Sequence, residues 1–220
     1  MQVTRIVAIR HGETAWNVST RIQGHLDIPL NDVGRWQARR MAQVLADEDI
    51  NSIYASDLGR AFETAQALGE STRLPVHTDT GLRERSFGEF QGLTFQEIEV
   101  RWPEEALRWR KRDPDFGPTG GETLRHFYDR IVATATRLAS AHQGESIALV
   151  AHGGVLDCLY RAASRLDLQA PRTWELGNAS INRLLYTGEG VTLVGWADTF
   201  HLAEQTRDEI SDGDRVGHAA

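Results

Sequence analysis

Residues 4–24 read TRIVAIRHGETAWNVSTRIQG. Ile6–Ile9 is a short β-branched apolar run, the pattern of a strand covered on both faces. It ends at Arg10, His11 and Gly12, which puts a guanidinium, an imidazole and a flexible backbone position at the carboxyl end of a strand. Open α/β sheets bind their ligands at such ends. Gly12 is expected to let the chain turn sharply and approach a ligand closely. One histidine after one strand is usually only a loop residue. Ile147–Val155, IALVAHGGV, repeats the construction with His152, Gly153 and Gly154. Two imidazoles converging on one pocket beside Arg10 would suit a tetrahedral dianion.

Composition limits the alternatives. At 220 residues the chain suffices for one substantial α/β domain, and no Pro/Gly/Ser-rich linker divides it. A net charge of −7 argues against nucleic acid as a main partner. No apolar run approaches membrane-spanning length, and the first residues lack the basic region and long apolar core of a signal peptide. Cys158 is the single cysteine, so no intrachain disulfide can form, a reducing compartment is expected and the localisation is read as cytoplasmic. The eight histidines show no HExxH or Cys/His metal spacing, and no DxDxDG-type cluster occurs. Neither a metal nor a cofactor is expected.

Along the chain, Asn31 suits an N-cap for the amphipathic segment from Asp32, with Trp36, Met41, Val44 and Leu45 as its apolar positions. Ser52–Ser56 is a second strand. Asp57 is placed to cap the next helix, whose first turn holds Arg60. Pro75–Thr78 is a third strand. Gly81, Gly88 and Gly92 then mark a folded-back loop carrying two candidate proton donors, Glu84 and Glu89. Thr94–Arg112 is helical, Trp- and Arg-rich and broken at Pro103, and it either caps the pocket or packs on the domain. Leu124, Phe127, Ile131, Ala135 and Leu138 give the segment 122–142 one buried helical face. After the His152 strand, Cys158 falls on an apolar helix face as a core thiol. Ala179–Tyr186 and Val191–Trp196 flank Gly-Glu-Gly as a hairpin. The expected fold is a three-layer α/β sandwich with a mostly parallel central sheet, helices on both faces and an antiparallel edge hairpin. Residues 1–203 form one catalytic domain, and the polar segment 204–220 is expected to be a flexible tail.

The sequence RHGET, followed by Trp16-Asn17, Arg21–Gly24 (RIQG), Asp27-x-Pro29-Leu30 and the late Ala151–Gly154 (AHGG), resembles the histidine phosphatase superfamily, the phosphoglycerate-mutase-like proteins, from about Thr4 to Leu202. The resemblance implies that His11 is a covalent nucleophile, that Arg10, Arg60 and His152 complete the phosphoryl clamp, and that Asn17 and Gln23 contact the phosphate. Gly24 and Gly153 would offer backbone N–H groups. The Leu82-Arg83-Glu84-x-x-Phe87-Gly88 pattern resembles the family loop whose first glutamate is the general acid, which selects Glu84 over Glu89.

Phosphatases and cofactor-dependent mutases share this chemistry. Four departures favour a phosphatase: Gln23 in RIQG where mutases resemble RFTG, Phe87 and Phe95 in place of a Tyr and a Lys, no long insertion between Arg112 and Gly121, and Gly154 where mutases tend to carry Asn. Arg110 and Lys111 resemble the mutase basic pair and keep that alternative open. A non-catalytic phosphate-binding regulatory protein is the weaker rival. The expected partner is a small phosphate monoester, with no nucleic acid or membrane partner; a homodimer is compatible with the sequence.

Overall fold

The computed structural model describes residues 2–203, so the expected tail at 204–220 lies outside the described residues. The elements follow in the order β1 (Thr4–Arg10), α1 (Ala15–Val18), α2 (Asp32–Leu45), β2 (Ser52–Ala55), α3 (Gly59–Thr72), β3 (Val76–Thr78), α4 (Phe95–Arg101), α5 (Pro103–Arg110), α6 (Leu124–Ser140), β4 (Ser146–Ala151), α7 (Gly153–Ser164), β5 (Ile181–Thr187) and β6 (Gly190–Asp198). The strand order is β3-β2-β4-β1-β5-β6. β1, β2, β3 and β4 run parallel, while β5 is antiparallel to both β1 and β6. Sequence patterning anticipated this sheet and its antiparallel hairpin.

The period-2 geometry of the central strands explains the layers. Ile6 and Ala8 of β1, with Ile147, Leu149 and Ala151 of β4, pack on α6 and α7 through Phe127, Ile131, Leu156 and Leu159. Val7, Ile9, Ala148 and Val150 point the other way, onto Met41 and Leu45 of α2 and Ala65 and Leu68 of α3. All six residues of β4 are buried. Each large apolar side chain enclosed in this way contributes about 1.5–3 kcal/mol. A third, smaller cluster joins α4 and α5 to the loop after β3 through Phe90, Ile98, Ala106 and Phe116, with Phe87, Phe95, Trp102 and Trp109 against it. The Trp-rich segment therefore packs, and it packs on the glycine-marked loop. Among the described residues no helix is long and apolar enough to cross a membrane.

Several local expectations are corrected. Asn31 does cap α2, its side chain accepting the Gly34 N–H at 2.8 Å. The buried stripe of that helix is Gly34, Ala38, Met41, Ala42 and Leu45, however, and Trp36 and Val44 are exposed. Asp57 does not cap α3. Its carboxylate takes Arg83 Nε at 2.7 Å in a two-point ion pair, and the Gly59 N–H is met by Asp27 Oδ1 at 2.7 Å. A planar guanidinium satisfies both carboxylate oxygens at once and adds a full opposite charge. α6 begins two residues later than Glu122, with Thr123 as its cap. Gly12 is required by packing: a Cβ there would lie 2.4 Å from the Gly34 carbonyl oxygen. Its lack of a side chain lets α2 start against β1.

Candidate active site

The carboxyl ends of β1 and β4 are neighbours in register, Arg10 facing Ala151. His11 and His152, one residue beyond each end, therefore meet. Their rings stand edge to face with centroids 5.3 Å apart. Both are buried, at 3% and 0% exposure. His11 Nδ1 lies 2.7 Å from the Gly12 carbonyl oxygen. A carbonyl only accepts, so Nδ1 carries the proton and Nε2 presents its lone pair. Burial, reinforced by the charges of Arg10 and then Arg60, holds the His11 imidazole well below the usual histidine range. His152 is lowered in the same way by burial, then by Arg60, His11, Arg10 and His25. At neutral pH both rings are uncharged.

Two guanidinium groups border these rings. Arg60, in the first turn of α3, is 1% exposed and donates to the Gly24 and Leu26 carbonyls at 2.8 and 2.9 Å. Burial brings it down to about 10, against the pull of Glu84 and Asp27, so it remains cationic near neutrality. Arg10 donates through Nη1 to the Leu176 carbonyl. Arg10 Nε, Arg60 Nε, both His152 ring nitrogens and Gln23 Oε1 are buried without a protein partner. Such groups are costly to enclose unless a ligand completes them, and Arg10, Arg60 and His152 all lie close enough to His11 to act on its charge or stack on its ring.

The remaining expected residues fall around this cluster. Asn17 Oδ1 accepts the Thr14 N–H and hydroxyl, each at 3.0 Å, and Asn178 Nδ2 at 3.3 Å. These three contacts hold the Asn17 side chain by its oxygen. Gly24 contributes its carbonyl to Arg60, and Gly153 opens α7 beside the Arg10 guanidinium, its Cβ direction 3.4 Å from Nε. Glu84 sits at the start of α7, with Oε2 accepting the Gly154 N–H at 3.0 Å and Oε1 the Arg85 N–H at 2.9 Å. Glu89 is exposed. Arg110 is engaged by Glu99 and covers the Phe95 ring, so the structure ties half of the basic pair to the α4–α5 packing. No group of three or more His, Cys, Asp or Glu side chains forms a metal cage among the described residues.

Sequence reading missed several residues that hold these groups. Asn178 donates to the His11 carbonyl at 3.0 Å as well as to Asn17, and Thr64 Oγ1 accepts the Gly12 N–H at 3.0 Å. His25 Nε2 sits 2.8 Å from the Glu84 carbonyl, to which it donates. Only the position of His25, directly after RIQG, offered any signal.

A model of the histidine phosphatase superfamily (branch 1) matches residues 6–199. Phosphoglycerate mutase-like protein 4 of Arabidopsis thaliana is 44% identical over 204 residues, covering 90% of this chain and 87% of that protein. Glucosyl-3-phosphoglycerate phosphatase of Mycobacterium tuberculosis is 39% identical over 193 residues, covering 84% and 86%. Among solved structures, YhfR of Bacillus stearothermophilus superposes with a TM-score of 0.85 at 29% identity, covering 91% of this chain and all of the other.

Proposed function

The chain belongs to branch 1 of the histidine phosphatase superfamily and is an enzyme of that family, and we propose that it hydrolyses a small phosphorylated metabolite through a phosphohistidine on His11. The single observation that supports this most is the set of buried, unpartnered donors on Arg10, Arg60 and His152 around a neutral His11. In the proposed first step His11 Nε2 attacks phosphorus and the bond to the leaving oxygen breaks. The clamp takes up the charge on the equatorial oxygens, and Glu84 gives its proton to the departing alkoxide. Water then attacks the phosphohistidine, its proton passes to the Glu84 carboxylate, and the P–N bond breaks to restore neutral His11. Asn17, Gln23 and the backbone at Gly24 and Gly153 bound the phosphate. No metal or cofactor is needed for either step. The catalytic unit is residues 1–203, acting in a reducing compartment, the cytoplasm.

A phosphatase is favoured over a mutase because Gly154 has no room for the longer side chain of the mutase pattern: its Cβ would already lie 2.2 Å from Glu84 Oε1. The substrate is an anion beyond its phosphate. Arg172, exposed on the loop between α7 and β5, adds positive charge near Arg10, and a carboxylated phosphate ester would meet it. In the relative from Mycobacterium tuberculosis the named substrate is glucosyl-3-phosphoglycerate.

Incubation with p-nitrophenyl phosphate tests the core of this reading. His11→Ala should lose hydrolysis and the acid-labile phosphoryl label while keeping its folded far-UV spectrum; retained turnover would rule out covalent catalysis at His11. For the branch point, interconversion of 3- and 2-phosphoglycerate with 2,3-bisphosphoglycerate present should run slower than monoester hydrolysis. The opposite order would make the protein a mutase.

A further inference from the structure

The loop that carries Glu84 has almost no regular structure to fix it. Only single 3-10 turns at Thr80–Leu82 and Gly88–Phe90 interrupt it, and residues 83–87 between them belong to no helix or strand. Backbone polar groups in such a stretch need partners from elsewhere. They find them on α6 and the residues just before it. Arg130 Nη1 donates to the Gly81 and Arg83 carbonyls at 2.9 and 3.0 Å, and Nη2 donates to the Glu84 carbonyl at 3.3 Å. Its remaining donors grip Glu122, Nε at 2.9 Å and Nη2 at 2.7 Å. Glu122 Oε2 in turn accepts the Ser86 N–H at 2.9 Å. The pair thus holds the chain on both sides of Glu84, and His25, from the loop after β1, holds the same Glu84 carbonyl.

The two ion-pair side chains are largely enclosed, 20% and 15% exposed. Arg130 is stacked on the Phe127 ring at 5.1 Å, which fixes its fork in one plane. The Arg130 guanidinium has five donors, and five acceptor contacts are present. Ordinary stability would not demand that the three carbonyls served be those leading into the proton donor. The Glu84 carboxylate itself is held only by the Gly154 and Arg85 N–H groups, so its place above the site follows from where the backbone of residues 83–86 sits.

We infer that Arg130 and Glu122, assisted by His25, are positioning residues for the general acid: the largely enclosed ion pair templates the loop so that the Glu84 carboxyl stands where a leaving oxygen will depart. None of the three touches the reacting atoms. The inference rests on Glu84 being the proton donor, as proposed above. Lysine cannot reproduce the arrangement, because an ammonium is a point donor and not a planar fork.

The test compares two esters with the whole protein. p-Nitrophenyl phosphate has an activated leaving group that departs with little help from an acid, and β-glycerophosphate has an alkoxide that needs the proton. Arg130→Lys should lower kcat on β-glycerophosphate by about 10- to 100-fold, a misplacement-sized share of what general acids supply. The loss on p-nitrophenyl phosphate should stay within about 3-fold by the same reasoning, with KM for both esters little changed. Glu122→Gln should show the same selectivity to a smaller degree, and it carries the test if Arg130→Lys does not fold. Equal losses on the two esters, or no loss on either, would reduce the pair to a structural role and overturn the inference. Glu84→Gln serves as the reference: a flat response there overturns the acid assignment itself. A selective Glu84→Gln beside flat clamp variants overturns the positioning role alone.

Discussion

Replacing Gly154 by alanine is a minimal perturbation with a large expected effect. Gly154 is the second residue of α7, where alanine is a better helix former than glycine by up to about 1 kcal/mol. The new methyl carbon, however, would lie 2.2 Å from Glu84 Oε1, 3.1 Å from Glu84 Cδ and 3.1 Å from Phe127 Cε1. Phe127 is 2% exposed and fixed in the core, so the carboxylate must yield. Restoring an acceptable contact requires Oε1 to retreat by about 1 Å, a displacement worth about 100-fold when it separates a catalytic group from its target. At about 1.36 kcal/mol per tenfold, that is about 2.7 kcal/mol of transition-state stabilisation. Steady-state kinetics on β-glycerophosphate should show the loss in kcat, p-nitrophenyl phosphate should be hydrolysed almost as before, and the melting temperature should not fall. Wild-type kcat on the alkyl ester would mean that Glu84 is not held at this spot during turnover, and the proton-donor role would have to move elsewhere.

Other outcomes follow from the same geometry. Arg60→Lys loses the paired bonds to Gly24 and Leu26 and the free Nε, so the inhibition constant of inorganic phosphate should rise about 10- to 100-fold, as for a charged hydrogen bond; an unchanged constant would remove Arg60 from the clamp. Because burial depresses His11 and His152 in the folded state, the unfolded chain binds the extra protons once pH falls below about 6.5. Stability is therefore complete above that pH and declines as pH falls further below it, by up to about 1.4 kcal/mol per pH unit for each ring. Thermal melts in phosphate-free buffer should show this slope, and His152→Gln should make it shallower; a melting temperature flat across the window would contradict the burial argument. Cys158 is 1% exposed and its thiol is pushed up by burial, so Ellman's reagent should leave it unlabelled until the protein is denatured. Rapid labelling of the native protein would contradict that.

What could be read in advance was whatever the chain declares locally. The apolar runs ending in Arg10-His11 and His152 gave the two central strands and the meeting of the rings, because a strand and the residue after it are neighbours in sequence as well as in space. The unbroken apolar character of these runs announced strands covered on both faces. Contacts between distant segments were not legible. Asn178 reaches His11 across 167 residues and Arg130 reaches Glu84 across 46, with no pattern in either segment to announce it. Asp57 misled for a related reason: its local position suited a cap, but Arg83, 26 residues on, offered a stronger partner. Trp36 and Val44 lie at periodic positions of α2 yet remain exposed, since the close pass of Gly34 along the first site loop, 2.1 Å from its Cβ direction to the Glu13 carbonyl, sets the rotation of that helix.

The aromatic cluster of Phe90, Ile98, Ala106 and Phe116 is separate from the two hydrophobic cores that flank the sheet. Arg10, His11 and His152 hang from the strand ends, whereas the loop that carries Glu84 leans through Phe87 and Phe90 on this detached satellite. Under the proposed reaction, replacements in α4 and α5 would shift that loop and its Glu84 while leaving the strand-end residues in place.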